Sequence, residues 1–313
     1  MIYTKELIKI EKNIEVLIES LNDEFTKKET KRLISSGGKR LRPLFLILAA
    51  KAGTINKKCY EAAASLELLH TSSLIHDDII DHGVMRRGKE TTVSVYGRER
   101  AVSTGGILSF FAMDNIISLG NEKVSAAMID TLETLCLGEL KQLDERYNFE
   151  INYYDYITKI SKKTASLFAL SCTMGGILSG AAENTIEKLH NIGFNIGCSF
   201  QILDDILDIS GSEKETGKVC GQDIRGGIFT LPYLLLMEKD PCFKKRILST
   251  TYKSRSSEFD ELTDEVRKNF ILEEAYGVSN LFLDKASNLL STLECPEVQK
   301  SFTYIINKLY RKI

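Results

Sequence analysis

Residues 60–81 read YEAAASLELLHTSSLIHDDIID, without a proline or glycine. Apolar residues recur three and four positions apart in this stretch, which predicts one long buried helix. The segments 121–147, 153–178 and 185–209 have the same periodicity, and no segment shows the sustained alternation typical of a strand. We therefore predict an all-α fold without strands: a single large helical bundle over residues 1–313. Turn residues divide it into about ten helices at 37–38, 83–88, 120–121, 180, 211–227, 240–241 and 295–296.

Composition excludes several classes of protein. The 313 residues include 41 Lys and Arg against 43 Asp and Glu, so the net charge is −2, and 43% of residues are hydrophobic. This apolar fraction is too high for a disordered chain. A near-neutral chain has no general basic surface for nucleic acid, so an anionic ligand must be bound by a local cluster.

Cysteine usage and the N-terminus indicate the compartment. The seven cysteines form no CxxC pair, so neither a zinc site nor a disulfide framework is predicted. The start of the chain, MIYTKELIKIEKNIEV, lacks the apolar core of a signal peptide. Because no apolar run approaches the length of a membrane span, we expect a cytoplasmic protein without one.

Two clusters of aspartates interrupt apolar helices. Each cluster ends its helix just before a glycine-containing loop, and its first and third members share a helix face; the clusters are Asp77, Asp78 and Asp81, and Asp204, Asp205 and Asp208. One such cluster alone could be a helix end turned to solvent, but two copies argue against coincidence. Carboxylates that face one another need cations, and hard oxygen donors favour Mg²⁺ with substrate phosphates. We therefore predict a site for a metal-bound diphosphate.

Basic residues accompany the aspartates. Lysines and arginines lie in glycine-containing segments or in an apolar helix, and one histidine precedes the first cluster by two helical turns: Lys39, Arg42, Arg86, Arg87, Lys163, Lys218 and His70. Any one of these cations alone could be a solvated charge, and a lone histidine could be a core residue. Their position beside the aspartates favours phosphate binding.

Five motifs resemble those of the trans-polyprenyl diphosphate synthases. They occur in the family's order between about Leu33 and Pro232: GGKRLRP, HTSSLIHDDIID with RRGKET, KKTASLFALSC, FQILDDILD, and DIRGG with TLP. The resemblance implies an isoprenoid-synthase bundle with a central cavity. It also implies that an allylic diphosphate ionises with up to three Mg²⁺ ions bound, and that the double bond of isopentenyl diphosphate attacks the cation before a proton is lost.

The resemblance assigns a role to each matching residue. Direct metal ligands would be Asp77, Asp81 and Asp204, and outer or water-mediated ligands Asp78, Asp205 and Asp208. The allylic diphosphate would be bound by Arg86, Lys163 and Lys218. Isopentenyl diphosphate would be bound by Lys39, Arg42, His70 and Arg87. Oxygens near the developing cation would come from Thr164 and Gln201.

Three positions depart from the family pattern. Ile228 stands where a phosphate-binding lysine is expected, Gly106 replaces an aspartate after Gly105, and His82 replaces an acidic residue. None of these changes removes a metal ligand, so activity is still expected. A homodimer, or a heterodimer with a small helical subunit that is needed for activity, remain alternatives for the assembly.

Product length is expected to depend on the helix before the first cluster. The fifth residue before Asp77 is Ser72, followed by Ser73, where short-chain relatives have Phe or Tyr. An open tunnel would favour products longer than farnesyl or geranylgeranyl diphosphate, although a short-chain synthase stays an alternative. Candidates for the tunnel floor are Leu68, Leu69 and Ser65.

Two other functions are less consistent with these motifs. A terpene cyclase would replace the second aspartate cluster with an Asn/Ser/Glu metal motif, and a regulatory subunit would have lost its aspartate pairs. Both pairs are intact in this chain.

Overall fold

The computed structural model describes residues 3–211, 221–251 and 254–310. Helices account for nearly all regular structure in these ranges: α1 Thr4–Glu19, α2 Glu24–Ser35, α3 Leu41–Ala49, α4 Lys57–Ile80, α5 Thr92–Tyr96, α6 Arg98–Ile117, α7 Glu122–Asp144, α8 Tyr153–Ile160, α9 Ser166–Ser179, α10 Glu183–Ser210, α11 Gln222–Arg225, α12 Leu231–Lys239, α13 Pro241–Ser249, α14 Ser256–Lys268, α15 Ile271–Ser291 and α16 Pro296–Tyr310. A 3₁₀ turn follows α3 at Ala50–Ala52, and a π turn joins α8 to α9 at Ser161–Ala165. The all-α prediction is confirmed.

The prediction that no strands occur is wrong in one place. Strands β1 Met85–Arg86 and β2 Lys89–Glu90 pair antiparallel. Arg87 and Gly88, between them, both have positive φ, at 51° and 74°, as the two-residue turn of a tight hairpin requires. Strands of two residues are too short to show alternation in the sequence.

The chain divides into two compact units. The first comprises Met1–Ile129, Leu170–His190 and Glu294–Val298; the second comprises Asp130–Ala169, Asn191–Leu293 and Gln299–Ile313. The expectation of a single domain over residues 1–313 stays a prediction.

Helix α4 is the centre of the first unit. Helices α1, α3 and α6 pack against it, and every residue from 62 to 69 is buried. A helix that is buried all round belongs to a core rather than to a surface. The polar side chains on this helix therefore lie in a largely dehydrated environment.

The second unit has an aromatic core. Tyr156, Phe229, Tyr233 and Phe243 are each almost fully buried, and they belong to one apolar cluster. Asn152 caps α8 with a capping box, in which its side chain accepts from the Asp155 amide and Asp155 accepts from the Asn152 amide. This cap fixes the start of the helix that carries Tyr156.

Within the described ranges, no helix has both the length and the apolar character that spanning a membrane requires. The six cysteines in these ranges are all unpaired. The cytoplasmic location stays a prediction.

Candidate active site

The first aspartate cluster lies on the last turn of α4, as predicted. Asp78 is buried, and its Oδ1 accepts hydrogen bonds from Nε and Nη2 of Arg86, each at 2.8 Å. Asp77 is half-buried, and Asp81, which caps the helix, is exposed. The pair that shares a helix face is therefore the more accessible one, while the residue between them is held by a cation.

His70 lies among arginines. Nη1 of Arg42 is 3.0 Å from Nε2 of the imidazole. Dehydration by the surrounding protein lowers the pKa of His70 well below its usual 6.5, and the nearby charges of Arg42, Arg87, Arg86 and Arg40 lower it further. The structure thus brings together three of the predicted isopentenyl diphosphate ligands, Arg42, His70 and Arg87. The fourth, Lys39, is exposed.

The ion pairs of Arg40 were not predicted from the sequence. This buried arginine has a positive φ of 48°. Its Nε is 2.8 Å from Oε1 of Glu11, its Nη1 is 3.1 Å from Oε1 of Glu67, and its Nη2 donates to the Ile34 carbonyl. Burial raises the pKa of Glu67, while the arginines oppose that rise. A glutamate in the middle of the apolar α4 was the signal that could have revealed this pair.

Several of these side chains line a pocket of the first unit. Its lining includes Arg32, Arg40, Glu67, His70, Arg86 and Arg87. The full lining, which also includes Asp78, Lys89 and Glu90, has five lysines and arginines against three carboxylates, so the pocket has the chemistry of an anion site.

The second aspartate cluster is built around a buried carboxylate. Oδ2 of Asp205 accepts a 2.6 Å hydrogen bond from the Tyr156 hydroxyl, and Oδ1 accepts one of 2.7 Å from Nε2 of Gln201. Burial raises the pKa of Asp205 to about 7, and the neighbouring Asp204 adds to the rise. The hydroxyl of Thr164 donates to Oε1 of Gln201 at 2.6 Å. One hydrogen-bonded chain thus joins two predicted cation-facing residues to this aspartate.

The other two aspartates of this cluster differ from Asp205. Asp204 is exposed, whereas Asp208 is half-buried and accepts hydrogen bonds from the amides of Gln222 and Asp223, at 3.2 and 3.3 Å. In both clusters the second aspartate is therefore buried and hydrogen-bonded. Lys218, a predicted ligand of the allylic diphosphate, lies outside the described residues.

Lys163 lies in the π turn rather than in a regular helix. Its Nζ is 2.8 Å from Oε2 of Glu139. Two glycines pack against this turn: a Cβ at Gly138 would lie 2.9 Å from Cβ of Lys162, and a Cβ at Gly197 would lie 2.6 Å from Cα of Ala165. Because π turns are frequent at functional sites, this geometry is consistent with a ligand role for Lys163.

The departures from the family pattern have local consequences. The half-buried Ile228 provides no charge, and its amide donates to the Asp223 carbonyl. A Cβ at Gly106 would meet no atom within 4 Å. His82 is exposed.

The candidate chain-length residues lie on α4. Ser72 is buried, and its hydroxyl donates to the Gly105 carbonyl of α6 at 2.8 Å. Ser73 is half-buried and donates to the His70 carbonyl. A Cβ at Gly105 would lie 2.6 Å from Nε2 of His76, so α4 and α6 are in close contact here. Leu68, Leu69 and Ser65 are buried.

The donor chemistry fits Mg²⁺. Asp77, Asp81 and Asp204 offer carboxylate oxygens, the hard donors that this ion prefers. Among the described residues no three potential ligands converge on one point. Mg²⁺ usually retains waters and takes few protein carboxylates together with substrate phosphates, so such a donor set remains compatible with it.

Comparisons with known proteins show what this chain is similar to. A family model described as polyprenyl synthetase matches residues 23–270. The chain is 35% identical over 275 residues to heptaprenyl diphosphate synthase component 2 of Bacillus subtilis (strain 168), covering 87% of this chain and 78% of that protein. It is 34% identical over 264 residues to the geranylgeranyl diphosphate synthase of Saccharolobus solfataricus, covering 81% and 80%.

A solved structure is similar over almost the whole length. The crystal structure of heptaprenyl diphosphate synthase from Staphylococcus aureus has a TM-score of 0.94 and 35% identity, covering 98% of this chain and 97% of that one.

Proposed function

Since the chain belongs to the polyprenyl synthetase family, we propose that it condenses isopentenyl diphosphate with an allylic diphosphate and releases a longer all-trans polyprenyl diphosphate. It is a prenyltransferase that elongates prenyl chains head to tail. The assignment of substrates rests on the arginine-rich pocket around His70. His70 lies on the same helix as the first aspartate cluster.

Isopentenyl diphosphate binds in this pocket. Arg42 and Arg87 neutralise its phosphates, and the neutral imidazole of His70 can donate one hydrogen bond without adding charge. Lys39, which is exposed in the preceding loop, adds a further cation. Asp77 follows His70 by seven residues, or about 10 Å along the helix, so the pocket and this one metal ligand are close enough to serve one reaction.

Asp77, Asp81 and Asp204 would hold Mg²⁺, which would neutralise the leaving diphosphate and so favour departure of that group. Asp78, Asp205 and Asp208 position the clusters or bind through water, which is supported by the hydrogen bonds that each of them accepts from protein groups.

The allylic diphosphate is bound by Lys163 and Arg86, with Lys218. Cleavage of its carbon–oxygen bond releases diphosphate and leaves an allylic cation. The double bond of isopentenyl diphosphate attacks this cation, and the departing diphosphate accepts the proton that is then lost. Because Thr164 donates its hydrogen to Gln201, its hydroxyl oxygen retains lone pairs that can stabilise the cation. Apolar surroundings exclude water, which would otherwise quench it.

The product is longer than farnesyl or geranylgeranyl diphosphate. Ser72 supports this because it has no bulk with which to block a growing chain. The relatives include both a heptaprenyl and a geranylgeranyl diphosphate synthase by name, so a short-chain product is the alternative.

The enzyme works with a second subunit, either another copy of this chain or a small helical partner. The B. subtilis relative is named component 2, which favours a partner of a different kind. Helix α6 supports a subunit contact, because Val102, Phe110 and Ile117 are exposed on it and Phe110 is 72% exposed.

One assay tests the proposal. The purified chain is incubated with Mg²⁺, farnesyl diphosphate and isopentenyl diphosphate, and products are separated by length. Diphosphates longer than geranylgeranyl diphosphate are expected. Product only after cell extract is added would exclude the homodimer, a hydrocarbon would indicate a cyclase, and no product under either condition would contradict the proposal.

A further inference from the structure

The hairpin β1–β2 carries two predicted diphosphate ligands, Arg86 and Arg87. Arg86 is anchored directly, because it pairs with the buried Asp78 of α4. Arg87 is at the turn, and its Nη1 donates to the Gly37 carbonyl in the loop between α2 and α3. The position of Arg87 therefore depends on how the hairpin is held against α2.

Besides an exposed contact of Lys89 with Ser35 at 3.4 Å, three side chains fasten this hairpin to α2, and we call them the α2 latch: Glu29, Arg32 and Thr92. Arg32 donates from Nη1 to the Glu90 carbonyl of β2 at 2.8 Å. Its Nε and Nη2 donate to Oε2 and Oε1 of Glu29, at 2.7 and 2.5 Å. Thr92, just after the hairpin, donates its hydroxyl to Oε1 of Glu29 at 2.7 Å.

Burial makes the latch rigid. Glu29 is 2% exposed and Thr92 is 1% exposed, so water cannot readily replace their hydrogen bonds. A bidentate pair between a guanidinium and a carboxylate is also directional. All three nitrogens of Arg32 already donate to the protein, although its side chain lines the pocket.

We propose that Glu29 and Arg32 are positioning residues for the isopentenyl diphosphate pocket, which they serve by holding the hairpin so that Arg87 faces the phosphate. The proposal rests on the proposed function, which identifies the substrate. It predicts different effects on the binding of the two substrates. Loss of the latch weakens binding of isopentenyl diphosphate, while the allylic substrate is bound by Arg86, which has its own anchor, and by Lys163.

The test compares Glu29→Gln and Thr92→Val with Glu24→Gln in the full chain, with its partner subunit if activity requires one. Glu29→Gln replaces one carboxylate oxygen with an amide N–H₂ that faces the donors of Arg32, and Thr92→Val removes the hydroxyl at nearly constant size. Glu24, on the same helix, pairs with Lys27 and is highly exposed.

For Glu29→Gln we expect the KM of isopentenyl diphosphate to rise by about tenfold, as for the loss of a charge-assisted hydrogen bond, with kcat and the allylic KM changed by less than about twofold. Thr92→Val should produce a smaller change in the same direction, and Glu24→Gln none.

A general loss of stability would change both substrate KM values or kcat, and that result would overturn the proposal. Unchanged kinetics in both latch variants would also overturn it. If Glu29→Gln fails to fold, the kinetics of Thr92→Val alone decide whether the proposal holds. Failure of the wild type to make any polyprenyl diphosphate is a different result, because it contradicts the proposed function itself.

Discussion

Nη1 of Arg42 lies 3.0 Å from Nε2 of His70, so a permanent cation donates a hydrogen bond to a neutral imidazole. The folded-state pKa of His70 is well below the usual 6.5, whereas the unfolded chain has the usual value. The unfolded state therefore binds the proton first as the pH falls. We predict that His70 lowers the free energy of unfolding by at most about 1.4 kcal/mol per pH unit below pH 6.5.

Urea denaturation at pH 7.5 and pH 5.5 checks this prediction. His70→Gln should reduce the loss of stability between the two pH values, and His82→Gln, at an exposed position, is the variant for comparison. Equal pH dependence in the wild type and His70→Gln would show that His70 does not titrate as predicted.

Asp77 should be essential for catalysis but not for folding. We expect Asp77→Asn to lower kcat/KM by about 100-fold or more, because an amide is a poor replacement for a Mg²⁺ carboxylate ligand. Chelation of Mg²⁺ in the wild type should abolish activity, and added Mg²⁺ should restore it. Asp264→Asn removes an exposed carboxylate that pairs with Arg267 on its own helix, and it should retain full activity. An active Asp77→Asn enzyme would exclude the proposed ligand role.

The Tyr156 hydroxyl should contribute to stability. Tyr156→Phe leaves Oδ2 of the buried Asp205 without its 2.6 Å donor, and we expect a loss of about 1–3 kcal/mol in the free energy of unfolding. Tyr154→Phe is the matched control on the same helix, because Tyr154 is 77% exposed, and it should change stability by less than about 0.5 kcal/mol. Similar denaturation curves for the two variants would contradict the importance of this hydrogen bond.

Ser72→Phe should shorten the product. The added ring would occupy space between α4 and α6, where Ser72 donates to Gly105, and it should also lower stability by about 1–3 kcal/mol through overpacking. Chromatography of the products measures the first effect. Ser72→Ala removes the hydroxyl without adding bulk, so its products should keep the wild-type length. Unchanged products from a folded Ser72→Phe enzyme would mean that this position does not border the growing chain.

Local features of the structure were predictable from the sequence. The periodicity of residues 60–81 corresponds to α4 at Lys57–Ile80, because the burial pattern of a helix repeats within a few residues. The predicted breaks at 37–38, 120–121, 180 and 240–241 fall at helix boundaries, since glycine and proline act on their own backbone.

Contacts between distant residues were not predictable in this way. Thr92 and Glu29 are 63 positions apart, and Arg40 and Glu67 are 27 apart. A local sequence pattern does not indicate which buried charged residues will pair after folding. The π turn at Lys163 was not predicted for a related reason. It depends on close packing against Gly138 and Gly197, which belong to other helices.

A substitution of Lys163 should show whether this residue binds the allylic diphosphate. We expect Lys163→Met to raise the KM of the allylic diphosphate by about tenfold or more, because a phosphate-binding cation is lost, and to leave the KM of isopentenyl diphosphate unchanged. Lys162→Met, at the adjacent position, should retain wild-type kinetics. Equal effects of the two variants would contradict a specific role for Lys163.

A second substitution, at Glu139, tests whether Lys163 acts only through its ion pair. In Lys163→Met the Glu139 carboxylate, which is 18% exposed, loses the ammonium 2.8 Å away, and we expect a loss of about 1 kcal/mol in the free energy of unfolding. Adding Glu139→Gln removes the unbalanced charge and should recover most of that stability, measured by urea denaturation. The allylic KM should stay high in the double variant because the cation is still missing. Recovery of both stability and KM would mean that Lys163 acts only by pairing with Glu139.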